Sequence, residues 1–422
     1  MSPKKAHEVA RMATYVVRLV AENRIPVDQL RLVDVGAGQG YLTRALKFYL
    51  PQSSILALDA DEAQTTGAKK WEDRVLPNVS PPIFHKTTLI TPQNLVAVID
   101  EWIYEDRPAH VSPEPSPVIL VALHACGSLT TDVVRAYFAS KSRSSSHRGW
   151  VASGVVAVGC CYNLMYPNDF PLSTVQKQAQ PTIDLPTSAF HLAAQVPSEW
   201  LSSISPPIPG PLVELSIKKV VYRALMGRLL EEMPPLEVKQ NQDTSTTSKS
   251  ATVPARWTRR PETWTDESSN DLSTASRTEQ SSTSSTGQTP TLVKLGKLNN
   301  QCYASWTTFL EAVERKLLVK FPDAAFDEQT KGVLQGDLGH ESLDRKLEVL
   351  HTLRCLIGPV IESAILRDRV QWIKETLAAT QETREVNETS PEVGLVNLFD
   401  QSTGSGRNVA IVVAPKIPTN FC

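Results

Sequence analysis

The segment Leu32–Thr43 (LVDVGAGQGYLT) is the feature that most constrains the fold of this chain. Its first residues are aliphatic and suit a strand buried on both faces, and apolar residues at helical spacing follow it. Between them lie three glycines, Gly36, Gly38 and Gly40. They allow a sharp turn and the close approach of a ligand that a Cβ would block. The spacing is G-x-G-x-G and not the G-x-G-x-x-G of dinucleotide sites, whose third glycine would fall at Tyr41.

A second apolar segment, 54–58, ends in Asp59, nineteen residues after Gly40. A carboxylate at the tip of a second parallel strand can accept hydrogen bonds from both ribose hydroxyls of a nucleoside that lies across the strand ends. The alternative interpretation is that Asp59 caps the helix predicted from Asp61, since Asp favours the N-cap position. Both roles can hold together.

Composition bounds the class of protein. The chain has 422 residues, 41% hydrophobic content and a net charge of −2, which leaves enough apolar material for a large core but gives no global nucleic-acid footprint. Six cysteines without a C-x-x-C pair argue against a disulfide framework or a zinc ribbon. We find no apolar run of about 18 residues and no signal-peptide core at the N-terminus. The predicted location is cytoplasmic or nuclear, with no membrane contact.

Periodicity predicts strands alternating with helices. A helix over 4–22 begins with Lys4 and Lys5, which are either a solvated helix end or within reach of a carboxylate or phosphate near the glycine turn. The predicted strands are 31–35, 54–58, 83–86, 118–123 and 154–159, followed by a hairpin within 392–399 and 407–413. The other predicted helices are 40–49, 61–74, 95–104, 129–140, 217–233, 302–320, 341–355 and 359–379. A proline-rich loop is expected at 108–117.

One domain with insertions is predicted from this order. Residues 1–233 form its N-terminal part, 234–295 are a Ser/Thr-rich segment too poor in aliphatic residues to fold, and 296–422 supply helices and the closing strands. Strands joined by helices form a parallel sheet, whose ligands bind beyond the carboxyl ends of the strands. The strongest strands run into His124–Cys126 and Cys160–Tyr162. The antiparallel closing hairpin is typical of class I methyltransferase sheets and argues against a dinucleotide-dependent oxidoreductase.

Several motifs resemble the methyltransferase-like protein 25 family: VDVGAGQG (33–40), LHACG (123–127), GCCY (159–162), DFPLS (169–173), LVNLFD (395–400) and RNVAIVVA (407–414). The resemblance implies an α/β class I fold, Rossmann-like, with a mostly parallel seven-stranded sheet and S-adenosyl-L-methionine as cofactor. A similar His-x-Cys-Gly and Cys-Cys-Tyr pair occurs in the eukaryotic tRNA 2′-O-methyltransferase of the acceptor stem, which favours RNA slightly over protein as the macromolecular acceptor. The alternative is a cofactor-binding scaffold that acts through a partner or accessory protein.

The resemblance also implies roles for single residues. The predicted cofactor-binding set is Asp34, Gly36, Ala37, Gly38, Gly40, Asp59, Ala60, Leu123 and His124. Gly36 and Gly38 would face the methionine portion, and Asp34 would orient the turn or receive the amino group indirectly. The candidate catalytic residues are His124, Cys160 and Tyr162. His124 would act as a general base or orient the acceptor, or else would satisfy buried carbonyls. Tyr162 would stack on a base or line the methyl-transfer channel.

The cysteines Cys126, Cys160 and Cys161 allow three interpretations. The first is a zinc site formed by Cys126, Cys160 or Cys161 together with His124. The second is a thiolate nucleophile that attacks a pyrimidine ring, and the third is that they are small buried residues beside the cofactor. Adjacent cysteines on an extended backbone point to opposite sides, so only one of Cys160 and Cys161 is expected to reach a metal readily. The predicted site therefore contains no metal.

Overall fold

A computed structural model describes residues 1–105, 115–142, 149–181, 185–186, 189–193, 211–232, 295–296, 298–317, 319–327, 331–332, 343–381, 390–401 and 406–418. Its strands are β1 Arg31–Val35, β2 Ser54–Asp59, β3 Ile83–Thr87, β4 Ser116–Cys126, β5 Trp150–Cys160, β6 Glu392–Asn397 and β7 Val409–Ala414. Its helices are α1 Pro3–Glu22, α2 Tyr41–Tyr49, α3 Glu62–Val75, α4 Asn94–Glu105, α5 Leu129–Ser142, α6 Thr174–Lys177, α7 Phe190–Ala193, α8 Pro211–Glu232, α9 Trp306–Leu317 and α10 Leu343–Gln381.

The seven strands form one sheet in the order β3-β2-β1-β4-β5-β7-β6. Strands β1 to β5 pair in parallel, whereas β7 pairs antiparallel with both β5 and β6. Each parallel strand is followed by a helix or helical turn, as a right-handed crossover requires. The predicted class I methyltransferase architecture, including its antiparallel closing hairpin, is therefore confirmed.

Helices cover both faces of the sheet, which explains why its central strands are aliphatic throughout. Leu32 faces a cluster that contains the apolar side of α1 and α2, whereas Val33 and Val35 face a cluster formed with α4, α5 and the end of α10. Successive strand residues alternate between the two faces. This two-sided burial fixes the register of β1 and so the position of the glycine turn that follows it.

The chain divides into two units, which differ from the predicted boundaries. The first comprises Met1–Ile204 and Leu353–Cys422 and contains the whole sheet. The second, Ser205–Thr352, has its own core around α8 and α9, in which Trp306 and Phe309 stack at 5.7 Å between ring centroids. The predicted disordered segment, up to residue 294, and most of the loop predicted at 108–117 lie outside the described residues.

Helix α10 corrects one prediction. Two helices were expected, 341–355 and 359–379, but a single helix runs from Leu343 to Gln381 with Pro359 inside it. Proline removes one backbone donor and disfavours helix, yet the apolar side of the following residues is held by burial of Ile365 and Ile373 in the first unit. Among the described residues, this helix alone is long and apolar enough, by length and composition, to cross a membrane. Of its most apolar 18-residue window, 28% is buried, and Asp368 and Arg369 on the same helix are also buried.

Candidate functional site

The glycine turn follows β1 at the centre of the sheet. All three of its glycines have positive φ angles, +76° at Gly36, +55° at Gly38 and +67° at Gly40, which other residues rarely adopt. The Gly38 amide donates to Asp59 Oδ2 at 2.7 Å, so the turn is tied to the end of β2. At Gly40 a Cβ would lie 3.1 Å from the Ala68 Cβ of α3, which makes this glycine a packing requirement.

A cavity of about 600 Å³ lies at the carboxyl ends of β1, β2 and β4. Nearly all residues predicted to bind the cofactor line it: Asp34, Gly36, Ala37, Gly38, Asp59, Ala60, Leu123 and His124. Gly40, Cys160 and Tyr162 are described residues outside this lining. The topology thus brings segments from distant parts of the chain to one hollow, as the strand order predicts.

Asp59 closes one side of this cavity. Its Oδ2 accepts from Gly38 and its Oδ1 accepts from the Asp61 amide at 2.9 Å. The capping interpretation of Asp59 is wrong, because Asp61 caps α3 through its own side chain, which accepts from the Ala63 amide at 2.8 Å. Asp59 therefore links the glycine turn to the start of α3 at the cavity edge.

Asp34 is buried beneath the turn. Its Oδ2 accepts a hydrogen bond from Thr43 Oγ1 at 2.6 Å. Burial raises the pKa of Asp34 to about 6, against the opposing effects of the Thr43 hydrogen bond and the charge of Lys5. Burial likewise lowers the pKa of Lys5, which also lines the cavity. Lys5 thus lines the cavity and interacts electrostatically with Glu8 and Asp34, whereas Lys4 is exposed.

His124 forms a pair with Glu8 of α1. The Nε2 of His124 lies 3.0 Å from Glu8 Oε2, and the Glu8 side chain is 2% exposed while that of His124 is 29% exposed. Burial acts to raise the pKa of Glu8, but the hydrogen bond and charge of His124 and the charge of Lys5 bring it below its usual value. A charged Glu8 accepts a hydrogen bond from the Nε2–H group of the neutral His124 ring. The other ring nitrogen, Nδ1, then carries no proton and is the atom that can accept one.

The position of His124 depends on an irregularity in β4. The strand was predicted to end at Leu123 but continues to Cys126, and its pairing with β5 shifts between Ala122 and Ala125. Such a bulge turns a side chain away from its regular direction. Sequence analysis missed Glu8 as the partner, although a carboxylate on the apolar side of α1, one turn before Met12, was the available signal.

Three thiols meet beside His124. Cys126 and Cys160 occupy paired positions on β4 and β5, with their Sγ atoms 3.2 Å apart, and Cys161 Sγ lies 3.6 Å from Cys160 Sγ. The expectation that adjacent cysteines diverge is wrong here, because Cys161 has left-handed backbone angles, φ 48° and ψ 46°. Only Cys126 of the three lines the cavity among the described residues.

Tyr162 lies behind the cavity wall. Its side chain is 1% exposed, its hydroxyl donates to Glu362 at 3.3 Å, and the Arg369 guanidinium lies over its ring at 5.4 Å. The ring therefore has no free face for a nucleic-acid base. Tyr166, which sequence analysis missed, lines the cavity and is 63% exposed. An aromatic residue shortly after the Cys-Cys-Tyr motif was its only sequence signal.

Comparison with known proteins adds to this geometry. Residues 4–168 match the family model of a methyltransferase domain. An S-adenosylmethionine-dependent methyltransferase from Clostridium acetobutylicum is similar at 12% identity over 40% of this chain and 54% of that structure, with a TM-score of 0.23. PKMT2 from Rickettsia typhi in complex with AdoHcy is similar at 12% identity over 48% of this chain and 35% of its own, also with a TM-score of 0.23.

The family match and the strand order point to the same class of protein. The matched residues include the glycine turn, Asp59, His124 and the three cysteines, and the complete sheet has the class I order. Residues 4–168 therefore match a methyltransferase domain, and the sheet to which they belong has the strand order of the class I methyltransferase fold.

Proposed function

We propose that this protein transfers a methyl group from S-adenosyl-L-methionine to a macromolecule, with RNA favoured over protein, as a relative of the methyltransferase-like protein 25 family. The observation that carries the proposal is the cavity in which the glycine turn, Asp59 and the Glu8–His124 pair meet. A nucleoside cofactor bound in this cavity would lie beside a proton-accepting group at one edge of the sheet. Cytoplasmic or nuclear location belongs to the same proposal.

The lining of the cavity fits the cofactor. Gly38 presents backbone at the cavity wall, and a Cβ there would meet no atom closer than Gln64 Oε1 at 3.9 Å, so the space beside it is open for a ligand. Asp59 supplies carboxylate oxygens for ribose hydroxyls, and Ile90 and Leu123 supply apolar surface. Asp34 and Lys5 would set the charge around the amino-acid end. The bound cofactor supplies an already activated methyl group.

The protein's own contribution is positioning and proton removal. Glu8 holds the His124 ring through Nε2. His124 would accept at Nδ1 the proton that the oxygen or nitrogen of the acceptor loses when it takes the methyl group. Breaking of the methyl–sulfur bond would leave S-adenosylhomocysteine. At other proton-transfer sites the histidine base is likewise oriented by a hydrogen-bonded neighbouring group. A hydroxyl acceptor gains most from such a base, because it must lose its proton in the reaction.

Exposed apolar side chains at the cavity support a macromolecular acceptor. Leu89, Leu164 and Tyr166 all line the cavity and are 71%, 53% and 63% exposed. An exposed tyrosine beside an apolar surface suits an unstacked RNA base, which binds by stacking. Lys4 and Lys5 at the start of α1 add positive charge on the side of β4 that carries His124, which favours a phosphate backbone.

Transfer of a labelled methyl group tests the acceptor class. The purified chain is incubated with methyl-labelled S-adenosylmethionine and with RNA or protein fractions from cells that lack the gene. We expect label in RNA, with the modified nucleoside identified by mass spectrometry. His124→Ala should abolish labelling while retaining S-adenosylhomocysteine binding, and Gly38→Arg should lose both. Label in the protein fraction, or cofactor binding with no label in either fraction, would overturn the proposal in favour of a protein acceptor or a scaffold.

The Glu8–His124 pair is tested by a matched substitution on α1. Glu8→Gln should lower kcat by roughly 10- to 100-fold, because the ring loses its charged partner. KM and the dissociation constant for S-adenosylhomocysteine should stay within about twofold. Glu22→Gln is the control, since Glu22 accepts from Arg18 on the same helix at 2.7 Å and is not among the described residues that line the cavity. If Glu8→Gln lowered cofactor affinity and kcat by the same factor, the role of Glu8 would be structural and not the positioning of His124.

A further inference from the structure

The three thiols of Cys126, Cys160 and Cys161 carry an inference that the methyl-transfer proposal does not need. Their Sγ atoms all lie within 4.8 Å of one another, with nearest separations of 3.2 and 3.6 Å. They come from the ends of two paired strands and from the residue that follows β5. Three soft ligands brought together from two backbone segments can hold a thiophilic metal ion.

The separations fit a metal better than a disulfide. Sulfur atoms bonded to one tetrahedral Zn²⁺ at about 2.3 Å lie about 3.8 Å apart. Sulfur atoms in a disulfide lie about 2.05 Å apart, and such a bond between Cys126 and Cys160 would leave Cys161 without a role. The observed pairs, at 3.2 and 3.6 Å, are nearer to the spacing of a shared ion than to that of a disulfide.

The backbone of Cys161 gives independent support. Its φ of 48° lies in the left-handed region, which a non-glycine residue occupies at a cost of about 1 kcal/mol or more. On an extended backbone the side chain of Cys161 would point away from that of Cys160. The left-handed conformation instead turns the two sulfur atoms to one place. Gly127 allows the approach from the other strand, since its amide donates to Cys160 O at 3.0 Å and its φ is +58°.

We propose that Cys126, Cys160 and Cys161 bind one Zn²⁺ ion, with the fourth coordination position on the cavity side. Cys126 is exposed and lines the cavity, so a water molecule or an acceptor atom can reach the ion from there. Three protein ligands and one open position are the pattern of zinc sites that contact substrate. Arg407 acts electrostatically on Cys126 and Cys161, and its positive charge favours their thiolate forms.

Metal titration of the full chain tests this site directly. The protein is stripped of metal under reducing conditions and titrated with Zn²⁺ against a chromophoric chelator, and with Co²⁺ for the absorption that thiolate ligands produce. We expect one ion per chain, with tetrahedral thiolate absorption for Co²⁺. Cys126→Ala should weaken Zn²⁺ binding by about 100-fold or more. Cys126→His should restore most of that loss because it returns a ligand atom.

Matched controls make the outcome decisive. Cys302→Ser removes a half-buried thiol from the second unit and should bind Zn²⁺ like the wild type. Zn²⁺ should raise the melting temperature of the wild type and of Cys302→Ser but not of Cys126→Ala, whose exposed position makes misfolding a poor explanation. Less than one equivalent of bound metal, equal affinity in Cys126→Ala, or a Cys126–Cys160 disulfide that persists under reductant would overturn the proposal.

Discussion

Single buried charges at this site are held in unfavourable surroundings, and Asp34 is the clearest example. Its carboxylate is 1% exposed and accepts a hydrogen bond from Thr43 Oγ1 at 2.6 Å. Lys5 reduces the cost of its charge only in part, because burial still raises the pKa of Asp34 to about 6. A carboxyl that is buried at a cavity wall, at a cost in the free energy of folding, is typical of a site that binds a ligand through that charge.

The pKa of Asp34 predicts how the ligand-free protein responds to pH. Below the unfolded pKa of about 3.9 the carboxyl is protonated in both states, and its stabilising contribution is fully present. That contribution falls as pH rises from about 3.9 to about 6, because the unfolded carboxyl ionises before the folded one, and it is lost above pH 6. Asp34→Asn should therefore stabilise the protein by about 3 kcal/mol at pH 8 and by about 1 kcal/mol at pH 4.5.

Urea denaturation at four pH values between 4.5 and 8 measures this difference. Asp28→Asn serves as the control, since Asp28 is exposed in the loop before β1. A stabilisation of Asp34→Asn that does not change with pH would show that the carboxylate is paired and not strained by burial.

Residue types could be predicted from the sequence, but their partners could not. The glycine spacing and Asp59 identified the cavity because their roles depend on backbone turns and strand ends, which are local. Glu8 and His124 lie 116 positions apart and meet only after α1 packs on the sheet. The direction of the Cys161 side chain could not be predicted without its backbone angles. From the sequence alone, the side chains of adjacent residues on an extended strand are expected to point in opposite directions.

At the scale of elements, the DFPLS motif is explained by α10. The side chain of Asp368 on that helix accepts from the Leu172 amide at 2.7 Å, the Ser173 amide at 2.9 Å and Ser173 Oγ at 2.8 Å. On the other side Asp169 accepts from Arg135 of α5 at 2.8 Å. The motif therefore joins the segment after β5 to α5 and α10, and so supports the wall that carries Tyr166.

Removal of Asp368 should destabilise the first unit. Asp368→Ala would leave the amides of Leu172 and Ser173 buried without an acceptor, at a cost of about 3 kcal/mol in the free energy of unfolding. Glu375→Ala is the control on the same helix: it also accepts from two amides of this segment, Thr174 and Val175, but at an exposed position. It should cost less than about 1 kcal/mol. Equal losses in urea denaturation would contradict the anchoring role of Asp368.

The elements themselves follow from periodicity more fully than their ends do. All seven strands and the principal helices of the sheet domain were predicted near their observed positions. The errors fall where local preference conflicts with tertiary packing. β4 and β5 continue through His124 and Cys160 because pairing between them outweighs the loss of aliphatic character. α10 continues through Pro359 because its apolar residues are buried beyond that point.

At the scale of the whole molecule, two cores share no residue. The sheet and its helices form the core of the first unit, and α8 with α9 forms that of the second. The cavity is lined by residues of the first unit only. Ligand binding should therefore be linked to the stability of the sheet unit and not to that of Ser205–Thr352.

Hydrogen exchange with and without S-adenosylhomocysteine measures this linkage. A ligand present at about 100 times its dissociation constant stabilises the folded state by about 2.7 kcal/mol, which slows exchange by global unfolding about 100-fold. We expect that protection in β1 and β4, and unchanged exchange in α9. Gly38→Arg should remove the protection from β1 and β4, because its side chain fills the turn at a positive φ. Equal slowing in α9 would show that the two units unfold together, and absence of slowing in β1 would place the ligand outside this cavity.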